Sequence, residues 1–353
     1  MKNELPDIAI EGSCLFGRLN GLSSYTYTLI KSLTETEKED RFYVWYCDAP
    51  LLKRSLIDFK QHNLKHKRPN LPLPAVKELD IYHDTGCFFP SPEIAKSRVT
   101  TVRTLPQKTF SHKFRQALDS SDFVIASSQY TKEELIRKYK VPGHKVEVIY
   151  EGTGEEFHPQ ASLRSGLVKT RYRAKRPFLF FLGPIDERKN LQGLFEAYSL
   201  LKYESPPDLL IAGEVSRNGP DIKKLAEKFD IVNNVNCLGY IPKKDIACLM
   251  SEAVAFLFPA LYDCSGLQVL EAMSCGAAVI SSENSAIPEI TGDAALLTDP
   301  RDPQRLADAI RQVLSDKEIR VSLKNKSLER AKYFSAKKMA AETLNIYRRL
   351  VAK

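Results

Sequence analysis

Short apolar segments alternate with segments of helical periodicity twice along the chain, and this alternation limits the fold more than any other feature. The first set has strand candidates at 7–12, 41–48, 79–84, 97–105, 123–128 and 145–152. The second has them at 177–183, 208–213, 234–240, 253–260, 277–282 and 294–299. Strands that alternate with helices form parallel sheets. We therefore predict an α/β chain with two doubly wound, Rossmann-like parallel sheets.

The composition changes between the two sets. Residues 158–177 are polar and basic and lack apolar periodicity, which is typical of an interdomain linker. We predict an N-terminal domain at 1–160, a linker at 161–176 and a C-terminal domain at 177–334, with the terminal helix 335–353 packed back on the first domain. Ligands of such sheets bind beyond the carboxyl ends of the strands, so we expect the two domains to face a ligand-binding cleft.

The formal net charge is +8, and part of it lies in two basic clusters at 60–70 and 167–178. Each cluster is compatible with a solvated segment or with attraction to an anionic lipid surface, a lipid-linked phosphate or a nucleic acid. Few aromatic residues accompany the basic ones, and no zinc-finger or RNP pattern is present, which disfavours nucleic acid. No apolar run is long enough for a transmembrane helix. The N-terminus lacks signal-peptide features, and the seven cysteines have no CxxC spacing, which is typical of reduced cytosolic thiols.

A basic pair follows the first strand candidate of the second domain, in "LGPIDERKNLQGL" (182–194). Gly183 ends the strand, Arg188 and Lys189 follow, and Asn190 is a suitable N-cap for the next helix. Two cations at the carboxyl end of a strand can bind a diphosphate, Arg as a planar fork and Lys as a point charge. A solvated charged turn is the alternative interpretation.

A glycine loop follows the first strand candidate of the first domain, in "LNGLSSY" (19–25). Gly21 permits close backbone approach, and Ser23 begins a helix whose free N–H groups suit an anion. A plain N-capped helix is the alternative. Neither the GxGxxG dinucleotide pattern nor a P-loop occurs, and no DxD pair indicates a metal-bound nucleotide.

The stretch "YDCSGLQVLEAMSCGAAVI" (262–280) has an acidic loop followed by a helix with a polar stripe that contains no Lys or Arg. Counted from Gly266, the stripe is Gln268, Glu271 and Ser274. In the functional interpretation the helix N-terminus receives a phosphate, Glu271 accepts hydrogen bonds from hydroxyls such as those of a ribose, and Asp263 reaches a more distal polyol. The alternative is a helix that faces polar protein.

Taken together, these motifs resemble retaining glycosyltransferases of the GT-B architecture and the family-4 type, in the group that contains bacterial mannosyltransferases. The resemblance covers nearly the whole chain and is strongest in "FLGPIDERKNLQGLFEAY", "LGYIPKKDIACLM" and the 262–280 stretch. It implies transfer of a hexose from a nucleoside-diphosphate sugar with retention of anomeric configuration. It also implies that neither a metal ion nor another cofactor is required.

The resemblance assigns roles to individual residues. Arg188 and Lys189 match the basic pair that neutralises the donor diphosphate. Asp263 and Glu271 match a paired acidic motif, in which the first acid meets sugar hydroxyls and the second meets the ribose. Tyr240 and Ile241 match the segment that borders the nucleobase, and Cys264, Ser265 and Gly266 match the backbone segment against the sugar and phosphates. Gly21 matches the glycine loop of the N-terminal domain. Gly183 and Leu267 are further expected donor contacts.

The sequence departs from the family pattern at three places. Asp263 stands where Glu is usual, and Cys264-Ser265 replaces Gly-Phe. Arg103 and Thr104 stand where the family commonly has a His-Asp pair that contacts the donor sugar. We expect either His83, at the end of a strand candidate, to replace that histidine or Arg103 to bind an anionic donor or acceptor. His83 is equally compatible with a packed histidine.

These departures keep an alternative open, namely a degenerate subunit that binds nucleotide or glycan and supports a partner transferase. A nucleotide-sugar epimerase or a phosphorylase is a third interpretation. For an active enzyme we expect GDP-mannose or a UDP-sugar as the donor and a glycan or lipid-linked acceptor. We expect a cytoplasmic protein that contacts the inner face of the membrane peripherally and binds no nucleic acid.

Overall fold

A computed structural model describes residues 6–16, 21–46, 61–67, 78–88, 95–106, 112–174, 176–201, 206–216 and 219–352. The chain divides into two units. Unit 1 comprises Met1–Gly154 with Phe334–Lys353, and unit 2 comprises Glu155–Tyr333. Each unit contains one parallel sheet with helices between its strands, so the predicted α/β class and the two doubly wound sheets are confirmed.

The described strands of unit 1 are ordered β3-β2-β1-β4-β5-β6-β7. Their bounds are β1 Asp7–Glu11, β2 Arg41–Trp45, β3 Leu64–Lys67, β4 Leu79–Asp84, β5 Ala95–Val102, β6 Phe123–Ala126 and β7 Val146–Val148. The helices of this part are α1 Gly21–Thr36, α2 His112–Ser120 and α3 Gln129–Tyr139, with a short 3-10 helix at Ser13–Leu15. The strand order reverses between β1 and β4. Ligands of doubly wound sheets bind at such a switch point.

The described strands of unit 2 are ordered β10-β9-β8-β11-β12-β13. Their bounds are β8 Phe178–Leu182, β9 Asp208–Ala212, β10 Val235–Gly239, β11 Ala255–Phe258, β12 Val279–Ser282 and β13 Ala295–Thr298. The helices are α4 Ser162–Arg171, α5 Leu191–Ser199, α6 Ile222–Lys228, α7 Lys243–Glu252, α8 Leu267–Ser274, α9 Ile287–Thr291, α10 Pro303–Ser315 and α11 Lys317–Ala331, with a 3-10 helix at Glu187–Lys189. The switch point of this sheet lies between β8 and β11.

The central strand β8 explains why its sequence is an unbroken apolar run. Phe178 and Phe180 pack into a hydrophobic cluster on one face of the sheet. Leu179 and Phe181 pack into a second cluster on the other face. Successive side chains of a strand point to opposite faces, so a central strand covered by helices on both sides has no polar position.

The last helix, α12 (Ala336–Val351), belongs to unit 1 although it follows unit 2 in the sequence. Its buried side chains include Met339, Leu344 and Tyr347, which share the hydrophobic cluster of β1 and α1. The start of α12 lies against Gly152, where an added Cβ would be 2.1 Å from the backbone N of Ala336. Only glycine permits this approach.

The structure differs from the predicted linker at 161–176. This segment contains helix α4, which lies in unit 2. Val168 of α4 is buried in the core, and Lys169 Nζ lies 2.7 Å from Glu252 Oε2. The helix was missed because one strongly buried apolar residue and a neighbouring ion pair anchor it, so the segment shows almost no apolar periodicity.

The basic cluster at 60–70 contains a strand that the sequence analysis did not predict. Residues 64–67 form the edge strand β3, which pairs with β2 from Phe42 opposite Leu64 onward. The two ends of the cluster, 60 and 68–70, lie outside the described residues. Backbone pairing with an existing strand requires no apolar pattern, and lysines are common on edge strands because they discourage further pairing. Among the described helices, none is long and apolar enough to cross a membrane.

Candidate functional site

The candidate site of unit 2 is built at its switch point from the loops that follow β8 and β11. The first loop contains the 3-10 helix Glu187–Lys189, and the second leads into α8. The backbone N–H of Leu261 donates to the carbonyl oxygen of Arg188 at 2.8 Å, so the two loops are joined directly. Asn190 caps α5 by accepting from Gly193 N at 3.3 Å, as the sequence predicted.

Lys189 and Asp263 meet across this switch point. Lys189 Nζ donates to Asp263 Oδ2 at 2.6 Å, and the two side chains are only 5% and 11% exposed. The ammonium also lies 4.3 Å from the ring centroid of Phe258, the last residue of β11. A charge pair that is so little hydrated depends on each partner, because removing one leaves the other buried and unpaired.

Asp263 is held in its ionised form. Its Oδ1 accepts the backbone N–H of Gly266 at 2.7 Å and of Ser265 at 3.1 Å. Burial alone would raise the pKa of Asp263, but the ammonium of Lys189 and these two amides outweigh it and lower the pKa below its usual value. The carboxylate therefore orients both the lysine and the loop that leads into α8.

Arg188 is oriented by its own loop. Its Nη2 and Nε donate to Asp186 Oδ2 at 2.6 and 3.2 Å, and its backbone N–H donates to Asp186 Oδ1 at 3.0 Å. The side chain is 33% exposed, in contrast to the buried Lys189. The predicted basic pair therefore comprises one buried cation held by a distant carboxylate and one partly exposed cation held by a local carboxylate.

The predicted acidic helix has the expected form. Gly266 has φ 64 and is the N-cap of α8, and an added Cβ would lie 3.0 Å from Ile290. Glu271 is buried, with 6% exposure, which a solvated stripe would not show. Cys264, Ser265 and Leu267 are also buried, and Cys264 Sγ lies 2.9 Å from Tyr262 Oη.

A further glycine, which the sequence analysis did not single out, completes the carboxyl edge of the sheet. Gly213 follows β9 with φ +133, and a Cβ there would lie 1.8 Å from the carbonyl oxygen of Gly183. Its backbone N–H donates to Gly239 O at 2.8 Å. The sequence feature that could have identified Gly213 is its position at the end of the strand candidate "DLLIAG" (208–213). Tyr240 and Ile241 follow β10, the first 39% exposed and the second buried.

In unit 1 the predicted substrate contact of His83 is wrong. Its ring has no exposed surface. Nδ1 lies 2.5 Å from Tyr347 Oη and Nε2 lies 2.7 Å from Thr101 Oγ1. Burial lowers the pKa of His83 from 6.5 to about 3, so the ring is neutral. His83 is a packed histidine that joins β4 to α12.

Arg103 is likewise engaged inside unit 1. Its Nε and Nη2 donate to the two carboxylate oxygens of Glu151 at 2.6 and 2.8 Å. The side chains of Arg103 and Glu151 are 9% and 1% exposed, and the guanidinium lies 4.8 Å from the ring centroid of Tyr25. This geometry contradicts an Arg103 that is available to an anionic substrate. Glu151 lies near the end of the strand candidate at 145–152, and the sequence analysis did not single it out.

Gly21 is the first residue of α1, two residues earlier than the predicted helix start at Ser23. Thr104, the neighbour of Arg103, is exposed.

Among the described residues, no group of three or more His, Cys, Asp and Glu side chains is arranged to bind a metal ion. At the switch point of unit 2 the structure brings together Arg188 and Lys189, their carboxylate partners and the start of α8.

Two family models match the chain. The model described as Glycosyl transferases group 1 matches residues 168–330, and the model described as Glycosyltransferase Family 4 matches residues 79–157. The O-antigen chain mannosyltransferase B of Escherichia coli is 27% identical over 299 residues, 84% of this chain and 76% of that protein. The serotype-specific mannosyltransferase WbdA of Escherichia coli is 28% identical over 241 residues, 66% of this chain but only 29% of that longer protein.

Solved structures share the whole fold at lower identity. The sucrose-phosphate synthase from Thermosynechococcus elongatus has a TM-score of 0.80 at 21% identity, with 98% of this chain and 99% of that one covered. Anabaena Alr3699/HepE in complex with UDP-glucose has a TM-score of 0.77 at 18% identity, with 96% and 99% covered. At these identities the likeness concerns the fold.

Proposed function

The chain is a glycosyltransferase of the family-4 type with the GT-B fold, and from this premise we propose that it transfers a hexose from a nucleoside-diphosphate sugar. The observation that carries the proposal is the buried pair of Lys189 and Asp263 at the switch point of unit 2. A buried ammonium at the carboxyl edge of such a sheet lies where phosphates bind. The similarity to mannosyltransferases supports mannose as the hexose.

Charge develops on the diphosphate when the sugar departs, and the site supplies positive charge there. A lysine has three N–H donors, so a bond to Asp263 leaves donors for phosphate oxygens. Arg188 adds a second cation, and the start of α8 adds backbone N–H groups and the positive end of a helix dipole. Such prearranged charges stabilise the transition state without rearrangement, and the proposal requires no metal ion or other cofactor.

The carboxylates are assigned to the sugar. Asp263 already accepts from Lys189 and two amides, and we assign its remaining lone pairs to sugar hydroxyls. We assign Glu271 to the ribose. Because Asp263 is engaged by Lys189 and two amides, we do not assign it as a nucleophile. We propose that the acceptor attacks on the face that the phosphate leaves, which retains the anomeric configuration. Tyr240 and Ile241 would border the base.

We propose GDP-mannose as the donor, with a UDP-sugar as the alternative that the UDP-glucose complex of HepE suggests. The acceptor would be a glycan or a lipid-linked glycan, which is compatible with the O-antigen role in the name of one relative. For a lipid-linked acceptor, the enzyme would act in the cytoplasm at the inner face of the membrane. Flotation of the protein with anionic vesicles tests this membrane contact.

The experiment measures nucleotide binding and turnover together. Thermal shift with GDP, UDP and their sugars identifies the base, and release of nucleoside diphosphate in the presence of EDTA measures turnover without metal. Lys189→Met should lower turnover by on the order of 100-fold or more. The matched control is Lys223→Met on α6 of the same unit, whose side chain is 81% exposed, and it should change nothing.

One observation favours the alternative of a degenerate subunit. Arg103, which the family resemblance places at the position of a His-Asp pair, is engaged by Glu151. If a nucleotide raises the melting temperature but no donor is turned over with any acceptor, the degenerate subunit is the better description. If no nucleoside diphosphate shifts the melting temperature, both proposals are refuted.

A further inference from the structure

The loop that carries Asp263 depends on contacts from outside itself. Residues 259–266, between β11 and α8, form neither helix nor strand. The neighbouring strand β12 pairs with β11 as far as Ser281 opposite Phe258. The turn 283–286, which leads from β12 to α9, therefore begins beside this loop and can support it.

Three donors at alternate positions of β12 and its turn each bind a carbonyl oxygen of the loop. The bonds run from Ser282 Oγ to Ala260 O at 2.6 Å, from Asn284 Nδ2 to Leu261 O at 3.2 Å, and from the backbone N of Ala286 to Asp263 O at 3.1 Å. Two of the donors are side chains, so these bonds depend on residue type. Asn284 is the side-chain donor that lies in the turn itself.

The bond of Asn284 reaches the residue that joins the two loops of the site. The backbone N–H of Leu261 donates to the carbonyl oxygen of Arg188 at 2.8 Å, while its own carbonyl oxygen accepts from Asn284. The other connection between these loops is the bond from Lys189 Nζ to Asp263 Oδ2. Asn284 therefore acts on the loop of Asp263 directly and on the loop of the two cations through a single residue.

The side-chain amide of Asn284 is itself oriented. Its Oδ1 accepts from Ser285 Oγ at 3.2 Å, and its NH2 group faces the carbonyl oxygen of Leu261, which can only accept. Ser285 has φ 55, a left-handed conformation that is uncommon for a residue with a side chain. Such conformations persist where the surrounding structure fixes them, and they cluster at functional sites.

Helix α9 extends this support to the start of α8. A Cβ added to Gly266 would lie 3.0 Å from Ile290 Cγ1 and 3.5 Å from Ile287 Cδ1, so α9 packs directly against the N-cap of α8. The turn thus connects two elements that both contact the site, β12 at one end and α9 at the other.

We propose that Asn284 is a positioning residue for sugar transfer. Its hydrogen bond to Leu261 holds the loop of Asp263 against the loop of Arg188 and Lys189, and the proposed stabilisation of the departing diphosphate depends on that arrangement. Asn284 acts through these residues, and no substrate contact is assigned to it. The inference rests on the proposed function. A displacement of about 1 Å in a prearranged site can lower the rate by about 100-fold, even when its cause is remote.

The kinetic test uses Asn284→Ala and Asn284→Asp with GDP-mannose or UDP-glucose, whichever the wild type turns over faster. In Asn284→Ala, kcat should fall by about 10-fold or more and the donor KM should change by less than about 3-fold, because the loss falls on the transition state. Asn284→Asp keeps the size of the side chain and lacks the N–H donor, so it should lose at least as much. Wild-type kcat in either variant would overturn the proposal.

The matched control is Asn236→Ala on β10 of the same unit. Asn236 Nδ2 also donates to a backbone carbonyl oxygen at 3.2 Å, that of Tyr172. Both alanine variants should lower the melting temperature to a similar extent, but only Asn284→Ala should lower kcat. An equal loss of kcat in the control would show a general structural effect and refute the positioning role.

Hydrogen exchange measured by mass spectrometry separates this inference from the proposed function, because it requires no turnover. The amides of Leu261, Ser265 and Gly266 are bonded across the site, and they should exchange about 10-fold faster in Asn284→Ala than in the wild type or Asn236→Ala. Unchanged exchange would overturn the inference. A wild type without turnover would refute the proposed function, whereas faster exchange in Asn284→Ala would still show that Asn284 holds the loops.

Discussion

Relative to the wild type, Asp84→Asn should stabilise unit 1 more at neutral pH than at acid pH. Asp84 ends β4 and is 2% exposed. Its Oδ1 accepts three amides, whereas its Oδ2 is buried and has no hydrogen-bond partner among the described residues. Burial raises the pKa of this carboxyl from 3.8 to about 6. The asparagine side chain of the variant keeps an oxygen that accepts these hydrogen bonds and removes the negative charge.

The magnitude follows from linkage. Between the unfolded and folded pKa values the folded state binds more protons, so the free energy of unfolding falls as pH rises through this window. A pKa difference of about 2 units corresponds to about 3 kcal/mol, of which about 2 kcal/mol lies above pH 4.5. The stabilising contribution is complete below the unfolded pKa and lost above the folded one. Asp84→Asn has no carboxyl at this position, so its free energy of unfolding does not fall in this way as the pH rises.

Urea unfolding followed by Trp45 fluorescence measures this effect. Trp45 is the only tryptophan of the chain and lies in β2, so its signal reports on unit 1. We expect the free energy of unfolding of Asp84→Asn minus that of the wild type to be about 2 kcal/mol larger at pH 7.5 than at pH 4.5. Every group unaffected by the substitution cancels in this double difference.

The control is Asp119→Asn on α2, a carboxylate of unit 1 whose side chain is 58% exposed. Its ion pair with Arg115 is exposed, and such pairs contribute at most about 1 kcal/mol. Its double difference should be close to zero. A pH-independent effect of Asp84→Asn, or one with the opposite sign, would show that burial does not raise the pKa of Asp84.

Three further predictions concern single contacts. Lys189→Met and Asp263→Asn should each destabilise unit 2 by about 3–5 kcal/mol, and the double variant should cost less than their sum, because the pair is then removed together; far-UV circular dichroism during urea unfolding gives the coupling, and strict additivity would contradict it. Tyr347→Phe should cost about 1–3 kcal/mol, since it leaves a buried nitrogen of His83 unpaired; unchanged Trp45 fluorescence transitions would disprove this. Gly213→Ala should lower the melting temperature of unit 2, because a left-handed φ and a close backbone oxygen both exclude a Cβ; calorimetry measures the loss, and an unshifted transition would contradict the prediction.

The sequence predicted well the elements whose residue types are decided by burial alone. The run "FLFFL" of β8 is apolar because both faces of this central strand are covered. The elements that were missed have little apolar content of their own. Strand β3 exists because β2 offers it a backbone partner, and α4 is anchored by one buried valine and an ion pair.

The candidate site divides in the same way. Lys189 and Asp263 could be selected from the sequence, because strand ends and helix starts indicate where chemistry lies in a doubly wound sheet. Their contact could not be predicted from spacing, because it joins residues 74 positions apart. For His83 the sequence left two roles open, and the choice required Tyr347 on a helix from the other end of the chain.

The sequence by itself determined the α/β class, the two sheets and the residue types at the carboxyl edges of their central strands, because these depend on local periodicity and on short loops. Only the tertiary structure decided which charges neutralise each other, as in Arg103 with Glu151, and which buried polar groups meet, as in His83 with Tyr347. The physical reason is that hydrogen bonds and ion pairs act over a few ångströms in space. Distance along the chain does not limit them.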